Sequence, residues 1–242
     1  MTSTPTADDI HVAARTTVAA LAAADITCCL VGSAACYQWG NTRVPNDVDI
    51  LILSPGSSQS VEEIKARLAS SDPATFSLSP PEGKPHATYR KLWCAVPPTG
   101  PNLAPDADLS TGKSVRCNID ICFPGPETVK LPPVPPALIA SPRGLPVIPL
   151  LAALLHKVIA WRVHALAGRV DKQSNDVSDI LRLLEVVATR GLDAILVDEG
   201  HGTWYPDWFA RGAFEGIARF VEEFPESKRE LKAVEVGLIL EA

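Results

Sequence analysis

Apolar residues Ile10, Ala14, Val18 and Leu21 recur three or four apart through residues 8–24, a stretch without internal Gly or Pro, and this spacing predicts an amphipathic helix. Ile26 to Val31 is short, apolar and partly β-branched, and reads as a strand that stops at Gly32-Ser33, where the chain can turn tightly into a second helix over 34–39. Residues 41–46 read as a loop, Val48 to Leu53 as a buried strand, and Val61 to Ser70 as a short helix with Glu62, Lys65 and Arg67 on its charged face. A further strand is predicted over Thr88 to Val96. Val115, Cys117, Ile119, Ile121 and Phe123 alternate with Arg116, Asn118, Asp120 and Cys122, the period-two pattern of a strand with one apolar and one polar face, and Asp120 falls on the polar one.

From Pro124 to Pro149 prolines recur every few residues, so neither a continuous helix nor a central strand fits there, and the stretch reads as an extended strap between lobes. Everything after it has helical spacing. Leu150 to Leu166 is apolar nearly all round, Val177 to Ala188 repeats through Ile180, Leu181, Leu184 and Val187, and Trp208 to Phe224 is amphipathic. The expected fold class is α/β (α+β): an N-terminal lobe with a mixed β-sheet over residues 1–128, a proline-rich strap over 129–149 and a helical lobe over 150–242.

Composition narrows the function classes. Nearly half of the 242 residues are hydrophobic, which is globular composition, and the 22 prolines are an excess over the usual share of about 5%. A net charge of −6 argues against a broad basic face tracking a long nucleic-acid backbone, while leaving a local basic pocket possible. The six cysteines form no C-x-x-C pair and have no histidine at zinc spacing, so they read as reduced core thiols. Asp8 and Asp9 precede the first apolar stretch where a secretory signal would be basic, and the apolar run Val147 to Trp161 is interrupted by His156 and Lys157. The expectation is a cytoplasmic or nuclear protein with no membrane partner and no DNA.

The chemistry concentrates in Leu30-Val31-Gly32-Ser33 and, thirteen residues later, Asp47-Val48-Asp49-Ile50. Positions two apart on a strand point the same way and sit about 6 to 7 Å apart, so Asp47 and Asp49 present two carboxylates to one side. Two like charges there need a compensating cation, and hard oxygen ligands suit Mg²⁺ shared with a triphosphate. Asp120, from a different strand, could close the metal site, take the proton from an attacking hydroxyl, or simply face water. Gly32-Ser33 at a strand-to-helix turn offers backbone N–H groups and a hydroxyl to phosphate oxygens.

Gly32-Ser33 followed by Asp47-Val48-Asp49-Ile50 resembles the defining motif of the polymerase-beta-type nucleotidyltransferase superfamily in residue type and spacing. The run Arg43-Val44-Pro45-Asn46-Asp47 also resembles the R-x-T-x-D-x-D form of minimal and abortive-infection toxin-type nucleotidyltransferases, with Pro45 in place of their threonine. In those relatives a lysine on one helix and an acid on the next complete the nucleotide site; the segments around Lys157 and Asp179 are similar in order. The resemblance implies transfer of an NMP from an NTP to an acceptor hydroxyl with release of pyrophosphate, dependent on Mg²⁺ or Mn²⁺. Asp47, Asp49 and Asp120 would be the catalytic and metal-binding acids, and Gly32, Ser33, Arg43, Lys157 and Asp179 the nucleotide-binding residues. The acceptor is an RNA end or a small hydroxylated molecule. The other reading is a non-catalytic nucleotide-binding or scaffold protein that retains the fold.

Lys157 has independent interest, because its stem shares an apolar helix face with Leu154 and Trp161, where an unpaired ammonium is expensive. Either an anion pairs it or the amine snorkels to water. Asp176 and Asp179 read as acids opening a helix, where the dipole favours them. Arg162, Arg169 and Lys172 make a locally basic stretch beside Lys157, as expected of an anion-receiving surface or of a solvated helix face. His86, His156, His164 and His201 have no nucleophile at a suggestive spacing, and Trp204, Tyr205, Trp208, Phe209 and Phe214 read as core.

Overall fold

The computed structural model describes residues 4–53, 59–97, 115–127 and 130–239. The first helix, α1 (Ala7–Ala23), opens with a capping box in which Thr6 accepts from the Asp9 backbone and Asp9 accepts from that of Thr6. It buries Ile10, Ala13, Ala14, Thr17 and Leu21, close to the stripe expected from periodicity. Next come β1 (Cys28–Val31), α2 (Gly32–Trp39), β2 (Asp47–Ile52) and α3 (Val61–Ser71), the last opened by a second capping box between Ser60 and Glu63. Strands β3 (Phe76–Ser79), β4 (Lys91–Val96) and β5 (Val115–Cys122) complete a mixed five-stranded sheet in the order β1-β2-β5-β4-β3. Only β2 and β5 run parallel; the other neighbours are antiparallel.

The fold is a mixed α/β architecture, with most elements close to their expected positions. The expected strand at 88–96 begins only at Lys91, after a segment of turns through Pro80, Pro81, Gly83 and Pro85. β3 was not expected: four residues give too few repeats for a period-two signal. The sheet's apolar face carries Val48, Ile50, Leu92, Cys94, Cys117 and Ile119, all buried, and Thr17 of α1 reaches Cys94 there. The opposite face carries the polar residues of β2, β4 and β5.

The chain divides into two units. The first comprises Met1–Ala34 and Val44–Phe123, the second Ala35–Arg43 and Pro124–Ala242. The chain therefore leaves the first unit within α2 and returns to it just before β2. The expected boundary at residues 128 and 129 lies outside the described residues. In the second unit the proline-rich segment contains a 3-10 turn at Pro136–Leu138 and buries Leu131, Val134, Leu145, Val147 and Ile148.

Five helices follow: α4 (Leu150–Leu166), α5 (Val170–Arg190), α6 (Leu192–Asp198), α7 (Asp207–Glu223) and α8 (Lys228–Ile239). Being apolar nearly all round, α4 is the central helix of this unit and packs on α5 and α7. Its fully buried Trp161 meets Phe220 edge-on at 4.9 Å between ring centroids. Pro149 gives α4 no side-chain cap; Glu199 does that work from a distant loop, accepting from the Leu151 N–H with both carboxylate oxygens at 3.1 Å. In the aromatic cluster Phe209 is buried and the other members are half-buried, with Tyr205 packed against Trp204 and Phe209. Among the described residues no helix is long and apolar enough to cross a membrane.

Candidate metal centre

Parallel pairing of β2 with β5 sets the site. The register places Asp49 opposite Asp120 and Asp47 opposite Asn118, so all four side chains share the sheet's polar face. Asp47, Asp49 and Asp120 each offer a carboxylate oxygen within 4.8 Å of the others; Asp47 and Asp49 are half-buried and Asp120 is exposed. Asp120, whose facing the sequence left open, thus lies opposite Asp49. This proximity depends on a strand pairing between segments about seventy residues apart, which no local pattern encodes.

Gly32 has a backbone reason to be glycine. Its φ is +60°, and a Cβ built there would lie 2.1 Å from Oδ2 of Asp49. The Asp49 carboxylate occupies the space that any other side chain would need, and the left-handed conformation independently disfavours one. The glycine of the Gly32-Ser33 turn is therefore coupled sterically to the second acid of the pair. Ser33 follows at the start of α2, where backbone N–H groups have no intrahelical acceptor.

The donor set fits a hard divalent cation. Oxygens bound to Mg²⁺ at 2.0 to 2.1 Å lie about 3 Å apart when adjacent and about 4.2 Å apart when opposite, so three carboxylate oxygens within 4.8 Å of one another need side-chain adjustment but no backbone shift of either strand to share an ion. All three donors are carboxylates, which suits Mg²⁺ or Mn²⁺ better than zinc. The thiols do not compete: all six cysteines are free, and burial pushes Cys122, the one nearest the acids, up to about 12, with Asp49 and Asp120 adding to the shift.

The remaining expected site residues meet one another in the second unit. Asp179 accepts from Arg43 twice, Nε to Oδ1 at 3.0 Å and Nη2 to Oδ2 at 2.5 Å, and from Asn41 Nδ2 at 2.6 Å. Lys157 ion-pairs with Asp179 at 2.9 Å and with Asp176 at 3.1 Å, and His164 Nδ1 lies 2.6 Å from the other Asp176 oxygen. Asp176, Asp179 and Lys157 are all buried, while Arg43 keeps 21% of its side-chain surface exposed. Burial pulls the Lys157 ammonium down, but the Cys36 sulfur and the carboxylates of Asp179 and Asp176 outweigh it and raise the group above its ordinary value. Burial raises Asp179, and the Arg43 and Lys157 contacts outweigh that and lower it.

These positions decide one alternative and correct one expectation. Of the two readings of Lys157 the observed one is pairing, here with Asp179 and Asp176, and not snorkelling. Asp176 and Asp179 do not open their helix, since α5 begins at Val170 and both lie inside it on the buried face, so dipole preference is not why they are acidic. Asn41, Asp176 and His164 were not expected in this cluster. The available signal was that Asp176 falls on the same helical face as Ile180 and Leu183, where an unpaired carboxylate is too costly to bury.

No protein-family model matches the chain, and no curated protein does. A solved structure does: an antigenic nucleotidyltransferase-like protein from Paracoccidioides brasiliensis aligns over 93% of each chain with a TM-score of 0.62 and 12% identity. At that identity the likeness is one of fold. The chain has a nucleotidyltransferase-like fold with an acidic group suited to a divalent metal.

Proposed function

We propose that the protein is a metal-dependent nucleotidyltransferase that moves an NMP from an NTP to an acceptor hydroxyl and releases pyrophosphate. The observation that carries this reading is the triad of Asp47, Asp49 and Asp120 on adjoining parallel strands, with Gly32 left bare to admit Asp49. Asp47 and Asp49 would hold Mg²⁺ or Mn²⁺, with Asp120 as a third ligand. Bound there, the ion supplies charge neutralisation at the triphosphate. Asp120, the exposed member, accepts the proton of the attacking hydroxyl as its oxygen bonds to the α-phosphorus and the bond to pyrophosphate breaks. Gly32 and Ser33 offer N–H groups and a hydroxyl to the phosphates.

Arg43 would offer its partly exposed guanidinium to a phosphate, and the buried Asp179, itself paired with Lys157, fixes it. The kinship with minimal and abortive-infection toxin-type enzymes rests on the Arg43 to Asp49 run, with Pro45 as its departure. The test is pyrophosphate release from each of the four NTPs with Mg²⁺ or Mn²⁺, offering RNA or hydroxylated small molecules as acceptor. Turnover in wild type that falls more than about 100-fold in Asp49→Ala is the expected result, as loss of a direct metal ligand should exceed the effect of losing an outer partner. Tight NTP binding without release from any acceptor would instead make the protein a nucleotide-binding scaffold.

A further inference from the structure

The polar face that carries the triad on β2 and β5 continues across two more strands. The register aligns Asp47 of β2 with Asn118 of β5, Asn118 with Trp93 of β4, and Trp93 with Ser77 of β3. Two cations lie over the Trp93 ring, Arg116 at 5.2 Å and Lys91 at 5.7 Å from its centroid. The Arg116 guanidinium is further held by the Ser77 hydroxyl at 2.8 Å, and the indole N–H donates to Ser79 at 2.9 Å. Arg116 is exposed, yet its position is fixed by an aromatic ring and a neutral hydroxyl. Among the described residues no carboxylate forms an ion pair with Arg116 or Lys91.

An exposed arginine is usually mobile and solvated, and a structural one usually has an acid. Here, among the described residues, two cations are positioned without one, on the same sheet face as three acids. Between them Asn118 carries a buried side-chain oxygen that has no hydrogen-bond partner. Lys91 lies at the end of β4 nearer Asp120, and Arg116 lies four residues from Asp120 along β5, about 13 Å by strand rise. Metal bound to the triad would neutralise the acids and leave this basic pair as the charge that a second substrate meets.

We infer that the face formed by Lys91, Trp93, Arg116 and Asn118 is the acceptor subsite, and that it selects an acceptor carrying phosphate one or two sugar units from the reacting hydroxyl. Calling this ligand the acceptor rests on the transfer reading above; the anion site itself does not. The hydroxyl sits at Asp120, and the phosphate oxygens take the N–H donors of Arg116 and the ammonium of Lys91. An oligonucleotide end and a small phosphorylated sugar share this chemistry.

Binding to the full-length protein, measured calorimetrically with Mg²⁺ and without NTP, separates them. The probes are a trinucleotide against its neutral methylphosphonate form, and a hexose phosphate against the hexose. In one pair the anionic member should bind about tenfold tighter or more, as expected for charge-assisted hydrogen bonds, and that pair names the source. The preference should fall below about threefold in Arg116→Gln and in Lys91→Gln. Wild-type melting temperature in both variants would show that the fold is intact; should either fail to fold, the wild-type preference must still decline with added salt. Equal binding within both pairs, or a preference that survives both substitutions or is insensitive to salt, overturns the inference. Failure of pyrophosphate release with intact anion preference would sink the transfer reading and leave the anion site standing.

Discussion

At the scale of single residues, the site depends on a space as much as on its carboxylates. Replacing Gly32 with alanine forces an L side chain into a left-handed conformation, at about 1–2 kcal/mol, and drives its Cβ into the Asp49 carboxylate. Gly32→Ala should lower the melting temperature and weaken Mg²⁺ binding about tenfold or more, read by thermal melting and metal titration. Unchanged metal affinity would show that Asp49 need not sit where it does. In the charged cluster, Lys157→Met leaves Asp176 and Asp179 short of a cation and should cost about 3–5 kcal/mol in chemical denaturation. Asp179 has its folded pKa below its unfolded value, so its ionised form stabilises the protein above about pH 4 and the contribution fades as pH falls through the folded value. Asp179→Asn should be less stable at neutral pH and lose less on acidification. Asp47, Asp49, Gly32 and Ser33 were legible as a group because they are close in sequence and each has a distinct chemical type. Asn41 was not, since nothing local marks a loop asparagine as the partner of a buried acid far along the chain.

At the scale of elements, caps and periodicity fixed most helices, and the exceptions have local causes. Helix α5 begins two turns before its apolar repeat because Val170 to Ser174 is polar or exposed and carries no core signal. Helix α8 contains Leu231, Val234 and Leu238 at helical spacing, a pattern available in the sequence but diluted by charge. Helix α4 shows a device that no sequence window contains: its first turn has no acid, and Glu199 supplies one. Burial raises the Glu199 carboxyl to about 7 even though the N–H groups of Leu151, Leu150 and Ala152 lower it, and Asp198 adds to the rise. Its folded pKa exceeds the ordinary value of 4.5, so the folded form binds the proton more tightly and stability declines as pH rises between 4.5 and about 7. Glu199→Gln keeps an oxygen for the Leu151 N–H without the buried charge. It should remove that decline and stabilise the protein at pH 8 by about 1–3 kcal/mol, measured as denaturation midpoints across the pH range.

At the scale of the whole molecule, the two halves of the Gly-Ser and Asp-x-Asp motif belong to the first unit, while residues 35–43 between them belong to the second. That excursion is tied down by the Trp39 indole donating to the Ile148 carbonyl at 3.0 Å, by Arg182 donating to the Gly40 carbonyl, and by the Asn41 and Arg43 contacts with Asp179. A fragment of residues 124–242 lacks these partners and removes the Asn41 and Arg43 contacts from the buried Asp179. It should show no cooperative thermal transition, and a sharp transition would show the excursion to be dispensable. Sequence spacing read the thirteen-residue gap as a helix and a loop, which it is, but its membership in another unit follows from partners more than a hundred residues away. The same arrangement sets a clock on biosynthesis. Asn41 leaves the ribosome 138 residues before Asp179, an interval of about 7–28 s at 5–20 residues per second. Throughout that time the stretch between the two motif halves lacks its contacts with Asp179 and Arg182. The nascent first unit must hold its strands together around an incompletely docked insertion, so chaperone dependence should track the rate of translation through the C-terminal helices.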